Sequence, residues 1–434
     1  MNRAVVLGGG MAGLLAAHVL AESFAEVLLV DRDALAGVDD VRKGVPQGAH
    51  AHGLLAKGQA VLEEYFPGLT GELAASGIPT GDMGIGLRWY FNGRRLKPYE
   101  TGLVVISATR PELEGAVRAK VIAQPNITFL ERSAILGLTT SPDKTRVTGV
   151  RIQRADGRPQ EVLEAGLVVD ATGRGSRTPV WLEEFGYERP DEETIKIGLT
   201  YTTCHYELAS NPVGEDMAIL CVATPDNPRG AFFSRLDGRF LLSLTGMLGD
   251  QPPTDPEGHL AYVKSLPVPD IYEAVKDARL LDQRVSFRFP ASRRRRYERL
   301  TRFPEGFLVV GDAACSFNPV YGQGMTVAAL ESRVLRDHLR SGGVPSAQRF
   351  FQDISEVIDT PWDVAAGADL GWPGVEGPRT PEIEMANQYM ARLHAKAVED
   401  GELTAAFLRV AGLIEGPESL MSPEVSERVM APTA

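Results

Sequence analysis

The sequence predicts an α/β fold in which a parallel-sheet domain of the nucleotide-binding kind is interrupted by a β-rich insertion and followed by helices. Three observations carry this expectation. The chain opens as strand, glycine turn, helix and strand. Residues 195–290 are dominated by short apolar runs such as IKIGLTYTTCHYEL and AFFSRLDGRFLLSLTGML. A later apolar run, FLVV at 307–310, leads into a second glycine-rich turn and a long helical segment.

Taken in order, Ala4–Leu7 suits a strand buried on both faces, Gly8–Gly13 a turn, Met11–Glu22 a helix, and Glu26–Val30 a second strand ending at Asp31. Residues 36–53 read as loop and 54–66 as helix. Between 80 and 100, Asn92-Gly93 marks a hairpin. Residues 110–124 read as a helix with proline near its start. Strands return in ITFLERSAILGL, VTGVRIQ and AGLVVDATG, and 323–340 is helical. The remainder is helical, broken by Gly and Pro at 341–345 and 371–381. The expected division is a discontinuous nucleotide domain (1–75, 100–180 and 285–340), a β-sheet substrate domain (76–99 and 181–284), and a helical region at 341–434.

Composition narrows the function classes. The 434 residues are 44% apolar and 24% charged, ordinary for a globular chain and unlike a disordered tail, collagen or coiled coil. The net charge of −12 repels nucleic acid and anionic lipid, so neither is an expected partner. Cys204, Cys221 and Cys315 cannot make a disulfide framework, and no C-x-x-C or His/Cys cluster suggests a metal. A reducing, cytoplasmic setting is expected. The apolar stretch 4–21 resembles the core of a signal peptide. As a helix, however, it would carry Gly8, Gly9 and Gly10, each costing about 1 kcal/mol. No other stretch approaches the roughly 20 apolar residues of a membrane span.

Three motifs carry chemistry. In Gly8-x-Gly10-x-x-Gly13, Gly8 permits a tight turn, Gly10 lets a pyrophosphate approach the backbone, and Gly13 lets helix and strand pack closely. The amides of Met11 and Ala12 lie at the helix start, where N–H groups and partial positive charge favour phosphate. Asp31 is placed to accept hydrogen bonds from a ribose diol. Arg32 is either a holder of a 2′-phosphate or a plain surface arginine. The second motif is Gly311-Asp312 followed by Pro319-Val-Tyr-Gly322-Gln323-Gly324-Met325 and a helix. Asp312 suits a polyol, and the glycine-lined helix start suits a delocalised anion such as the N1–C2=O edge of a reduced flavin. The third, Val168-Val-Asp170-Ala-Thr-Gly173-Arg-Gly-Ser, is another strand-to-turn element where backbone meets phosphate.

GGGMAG, DATGRGSR and GDAACSFNPVYGQGMTVAALE occur in this order across residues 1–340. The set resembles the class A flavoprotein monooxygenases, the group of p-hydroxybenzoate hydroxylase. The stretch RKGVPQGAHAH at 42–52, with SFNPVYGQGM and SATRPELEGAVR, is similar to the flavin-dependent epoxidases of bacterial polyether biosynthesis. The resemblance implies a Rossmann-like FAD-binding domain with one tightly bound FAD, NAD(P)H as reductant and O2 as oxidant. It implies that Asp31 meets the adenosine ribose, and that Arg42, with Lys43 beside it, and Arg110 flank the pyrophosphate and ribityl chain. Asp312 would lie near the ribityl and pyrophosphate. Asp170 and Gly173 would serve FAD and NAD(P)H, and Val45, Pro319, Gly322, Gln323, Gly324 and Met325 would surround the isoalloxazine. Flavin-dependent halogenases are disfavoured, because their Trp-x-Trp-x-Ile-Pro segment has no match.

By this likeness a flavin C4a-hydroperoxide delivers one oxygen atom to an electron-rich carbon, so the cofactor carries the chemistry. Epoxidation of an alkene in an apolar secondary metabolite is the favoured reaction. Aromatic hydroxylation and flavin-dependent reduction of a prenyl-type substrate are the alternatives, and a nucleotide-binding protein without catalysis is a third class. No side chain is a certain catalyst. His50 and His52 are candidates for substrate binding or proton transfer, or else loop histidines with structural hydrogen bonds. Arg293–Arg296 reads as a solvated helix face, with an anion-holding role as the sharper alternative. Trp89, Tyr90, Phe91, Phe232 and Phe233 belong to the β-rich insertion, as core or as lining of an apolar pocket. Oligomeric state is left open.

Overall fold

The computed structural model describes residues 3–38 and 40–432. Its central sheet is parallel and five-stranded, in the order Phe307–Val309, Leu167–Asp170, Arg3–Leu7, Glu26–Val30, Ile127–Leu130. The runs AVVL, VLLV and LVVD are buried throughout, as strands covered on both faces require. Helices Met11–Ala21, Arg110–Ile122 and Gly324–Arg340 pack together on this sheet, and Ala347–Leu370 packs on the last of them. All five strands end on one edge, where crevices of open parallel sheets bind ligands. Leu7, Val30, Asp170 and Val309 therefore deliver their following turns to the same place.

The run ITFLERSAILGL is two strands rather than one. Arg132 takes a left-handed φ of 50° and redirects the chain. Ser133–Thr140 then pairs with Val147–Arg154, which pairs with Glu161–Glu164 in an antiparallel sheet.

The second large sheet has nine strands, built around the long strand Glu192–Glu207. Side chains alternate across it. Leu199 and Tyr201 join the core of the nucleotide domain. Cys204 and Tyr206 join a separate core with Val263 and Ile271, which lie on the helices Pro256–Lys264 and Pro269–Val275. Asn92 and Gly93 have φ of 48° and 73°, the left-handed pair that the hairpin signal requires between Leu87–Phe91 and Arg94–Arg95.

Two expectations change here. Val285–Arg295, assigned above to the nucleotide domain, is a strand of the second sheet and pairs with Glu192–Glu207. The arginine run is accordingly not a helix face. Arg294 and Arg295 stand opposite Glu193 and Glu192 on the neighbouring strand and are buried. Arg295 Nε lies 2.9 Å from Glu192, and Arg294 meets Asp359 at 2.5 Å. Glu192 on the neighbouring strand, for Arg295, and Asp359 on the helix Ala347–Leu370, for Arg294, make burial of these charges tolerable.

Among the insertion aromatics, Phe233 stacks on Phe240 at 5.4 Å in the far core. Trp89 and Phe91 are covered by Phe407 of the helix Gly401–Ala411, and Phe91 stacks on His394 at 3.8 Å. Among the described residues no helix is long and apolar enough to cross a membrane, and no cluster of His, Cys, Asp and Glu could hold a metal.

Candidate functional site

The first glycine turn is shaped by what would collide with it. Gly8 has φ of 98°, and a Cβ there would sit 2.6 Å from the Ala171 carbonyl oxygen. A Cβ at Gly13 would sit 1.8 Å from the Gly8 carbonyl oxygen, so the helix can pack this closely only without one. Gly10 differs: a Cβ there would meet only the Arg110 guanidinium, at 4.0 Å. The first helical bond runs from Leu14 N–H to the Gly10 carbonyl at 2.9 Å, so the N–H groups of Met11, Ala12 and Gly13 precede it and have no partner within the helix. This is an anion cradle open on its ligand side.

Asp31 braces that turn. Its Oδ2 accepts from Gly9 N–H at 2.6 Å and its Oδ1 from Asp33 N–H at 2.8 Å. Arg42 is buried behind it and reaches the Gly9 carbonyl at 3.1 Å, Asp33 at 3.4 Å and Glu114 at 2.6 Å. Arg110 and Arg118 bind the same Glu114 at 3.0 and 3.1 Å. Burial acts to raise the Glu114 carboxyl, but the Arg110 and Arg42 guanidiniums outweigh it and hold it below the usual carboxylate range. Arg32 and Lys43 are exposed, and half-buried Val45 donates its N–H to the Arg42 carbonyl at 3.0 Å.

The other two motifs close on the first. A Cβ on Gly311 would lie 2.6 Å from Ala12 Cβ, one on Gly173 3.9 Å from Asp312 Cβ, and one on Gly324 3.8 Å from Asp312 Oδ1. Gly8, Gly173, Asp312 and Gly324, scattered over more than three hundred residues, thus share one crevice. Asp312 is half-buried, and burial raises its carboxyl against the pull of the Arg174 and Arg110 charges. Asp170 is committed elsewhere. It is fully buried, accepting from Thr172 N–H and Oγ1 at 2.9 and 2.6 Å and from Ser176 and Thr178 hydroxyls at 2.6 and 2.5 Å. It shapes the DATGRGS turn from within.

The helix Gly324–Arg340 begins with the bond from Val327 N–H to the Gln323 carbonyl at 2.9 Å, leaving Gly324, Met325 and Thr326 N–H groups ahead of it. Gly322 turns the chain with φ of 67°, and Pro319 is exposed. Gln323 and Met325 are buried. Glu331, from the same helix, accepts from Gly311 N–H at 2.5 Å. Complete burial raises its carboxyl to about 8.

His50 bonds Thr203 Oγ1 through Nδ1 at 2.7 Å and lies against Tyr201 and Phe287 at 5.7 and 5.6 Å between ring centres. Burial lowers it to about 4. His52 bonds the His50 carbonyl at 3.0 Å, and burial with the Arg110 charge lowers it to about 3. Both imidazoles are neutral at neutral pH, available for hydrogen bonds but not as cations.

Sequence reading missed Glu114, Arg118, Asp33, Arg174, Glu331 and Asp369. Arg110, Glu114 and Arg118 do form an i,i+4 ladder that was there to be read. Arg174, in the third motif, bonds Ser316 Oγ at 2.8 Å and lies over the Phe289 ring at 4.1 Å.

An FAD fits these residues: two helix starts with free N–H groups, a glycine open to ligand approach, and an acid beside both. The profile of the FAD dependent oxidoreductases matches residues 4–207. Protein Rv3254 of Mycobacterium tuberculosis is 33% identical over 356 residues, covering 78% of this chain and 73% of the relative. The chain belongs to the FAD-dependent oxidoreductase family. A flavoprotein/dehydrogenase from Cytophaga hutchinsonii shares the fold with a TM-score of 0.69 at 16% identity, covering 98% of this chain and 96% of that one. So does p-nitrophenol 4-monooxygenase from Pseudomonas putida, at 0.66 and 16%, covering 96% and 100%.

Proposed function

We propose that the protein is an FAD-dependent monooxygenase that consumes NAD(P)H and O2 and places one oxygen atom on a small apolar organic substrate. The convergence of the three motifs on one crevice is the observation that carries this reading. The N–H groups of Met11 and Ala12 would hold the pyrophosphate, Asp31 the adenosine ribose, and Asp312 the ribityl chain. Arg42 and Arg110, fixed by Glu114, would set the positive potential along it. The Gly324–Thr326 amides would hold the carbonyl edge of the ring, with Pro319, Gly322, Gln323 and Val45 around it. The flavin supplies hydride acceptance and oxygen activation.

The balance is substrate + O2 + NAD(P)H + H⁺ → oxygenated substrate + water + NAD(P)⁺. Epoxidation of an alkene is the favoured outcome, by the likeness to the polyether epoxidases. That reaction needs no side-chain acid or base, in keeping with the neutral imidazoles of His50 and His52. Aromatic hydroxylation uses the same balance. Flavin-dependent reduction without oxygen transfer is the second reading, favoured by the flavoprotein/dehydrogenase among the fold relatives. A cytoplasmic location accompanies either reading. Turnover under ¹⁸O2 separates them: one labelled oxygen in the product supports the monooxygenase, and a reduced, unlabelled product overturns it.

A further inference from the structure

We propose that Asp369, near the end of the helix Ala347–Leu370, is a positioning residue that sets both the shape and the electrostatics of the loop Asn318–Gly322 beside the flavin ring. The inference rests on the flavin reading above.

The loop is held by its two ends. Asn318 is buried, and its Oδ1 accepts from Val320 N–H at 3.1 Å, which starts the turn Pro319–Tyr321. Its Nδ2 then needs an acceptor, and Asp369 Oδ1 takes it at 2.8 Å. The Tyr321 hydroxyl donates to the same oxygen at 3.0 Å. One carboxylate oxygen thus ties both ends of the turn, taking the Asn318 amide N–H that the Val320 bond leaves over. A charged acceptor makes both bonds stronger than a neutral one would.

The other oxygen is the informative one. Asp369 is fully buried, and its Oδ2 has no hydrogen-bond partner. Among the described residues no cation pairs with it. Arg379, which follows it in the chain, is spent on the carbonyls of Leu370, Trp372 and Val375. From the sheet, Tyr201 presents a buried hydroxyl that also lacks a partner, and its phenol is raised by burial and by the Asp369 charge. His50, packed on Tyr201, is neutral. The groups facing Asp369 are therefore two phenols and an amide, with no opposite charge. Burial raises its carboxyl to about 7, against the pull of Asn318 and Tyr321. Above that value an unpaired negative charge stands behind the loop, and below it the loop keeps its bonds without the charge. Negative charge beside a flavin disfavours its reduced, electron-rich form.

The test is the midpoint potential of the flavin in the purified holoprotein, wild type against Asp369→Asn, at pH 8 and pH 6. The amide keeps an acceptor for Asn318 and Tyr321 and loses the charge. The expected result is a more positive potential in the variant at pH 8 and a gap that closes at pH 6. Coincident potentials at both values, or a gap equal at both, overturn the proposal, because a merely structural role does not follow the ionisation. If Asp369→Asn does not fold, Tyr321→Phe serves. Losing one donor leaves the ionised acid less stabilised, so the pH at which the potential drops moves upward, and an unmoved curve overturns the proposal. A protein that takes up no FAD overturns this inference together with the flavin reading, whereas a loaded protein with unmoved potentials overturns this inference alone.

Discussion

The two ends of the candidate site are built on opposite plans. Around Gly8–Gly13 the carboxylates are engaged within the protein, Asp31 holding the Gly9 and Asp33 N–H groups and Glu114 holding three arginines, while the N–H groups of Met11, Ala12 and Gly13 stay open for a ligand. Around Asn318–Gly324 a group of side-chain polar atoms is left over. His50 Nε2, Tyr201 Oη, Gln323 Oε1 and Asp369 Oδ2 are all buried without partners. Unpaired buried polar atoms are costly in a finished structure. The contrast says that the first end is a prebuilt cradle and that the second leaves polar capacity free at the loop assigned above to the reacting ring.

The contrast can be broken at its most satisfied point. Glu114→Ala leaves Arg42, Arg110 and Arg118 facing one another in a buried cluster, and removing one partner of a buried ion pair costs about 3–5 kcal/mol. Denaturant unfolding is expected to show a loss of that size. A loss below about 1 kcal/mol, as for surface pairs, would mean that the cradle is not held by this cluster.

A smaller effect sharpens the other side. Asp312→Ala removes the half-buried acid beside Gly173 and Gly324. It is expected to weaken FAD binding by about 1–3 kcal/mol, with little change in folding stability. Titration of the apoprotein with FAD reads it, and an unchanged affinity would contradict the place given to Asp312.

The last effect is spread over several pH units and is read as a slope. Glu331 keeps its proton up to about 8 when folded, above the ordinary carboxyl value it takes when unfolded. Between those values the native state holds the extra proton, so stability falls as pH rises, by at most about 1.4 kcal/mol per unit for one group, and levels off beyond the folded value. Glu331→Gln retains an acceptor for Gly311 N–H and should flatten this slope in thermal unfolding. A slope unchanged by the substitution would assign the proton elsewhere.

How much was legible follows the reach of each interaction. The Gly8–Gly13 turn, the Asn92-Gly93 hairpin and the long helix after Gly322 are local, and the sequence displays them directly. Arg293–Arg296 was misread because Glu192 and Glu193, which pair with Arg295 and Arg296, lie about a hundred residues away. A charge run has no periodicity of its own to reveal a strand. Asp369 is 51 residues from the asparagine it holds, inside a helix otherwise patterned like any other. The role of Asp170 was visible as a position but not as a contact, since four donors from its own turn use its carboxylate.

On the function proposed above, three separated turns make one flavin cradle. Quantifying the flavin released from the purified, FAD-reconstituted protein tests it most directly. One FAD per chain and a yellow protein are expected. A colourless chain that takes up no flavin from excess FAD would contradict it.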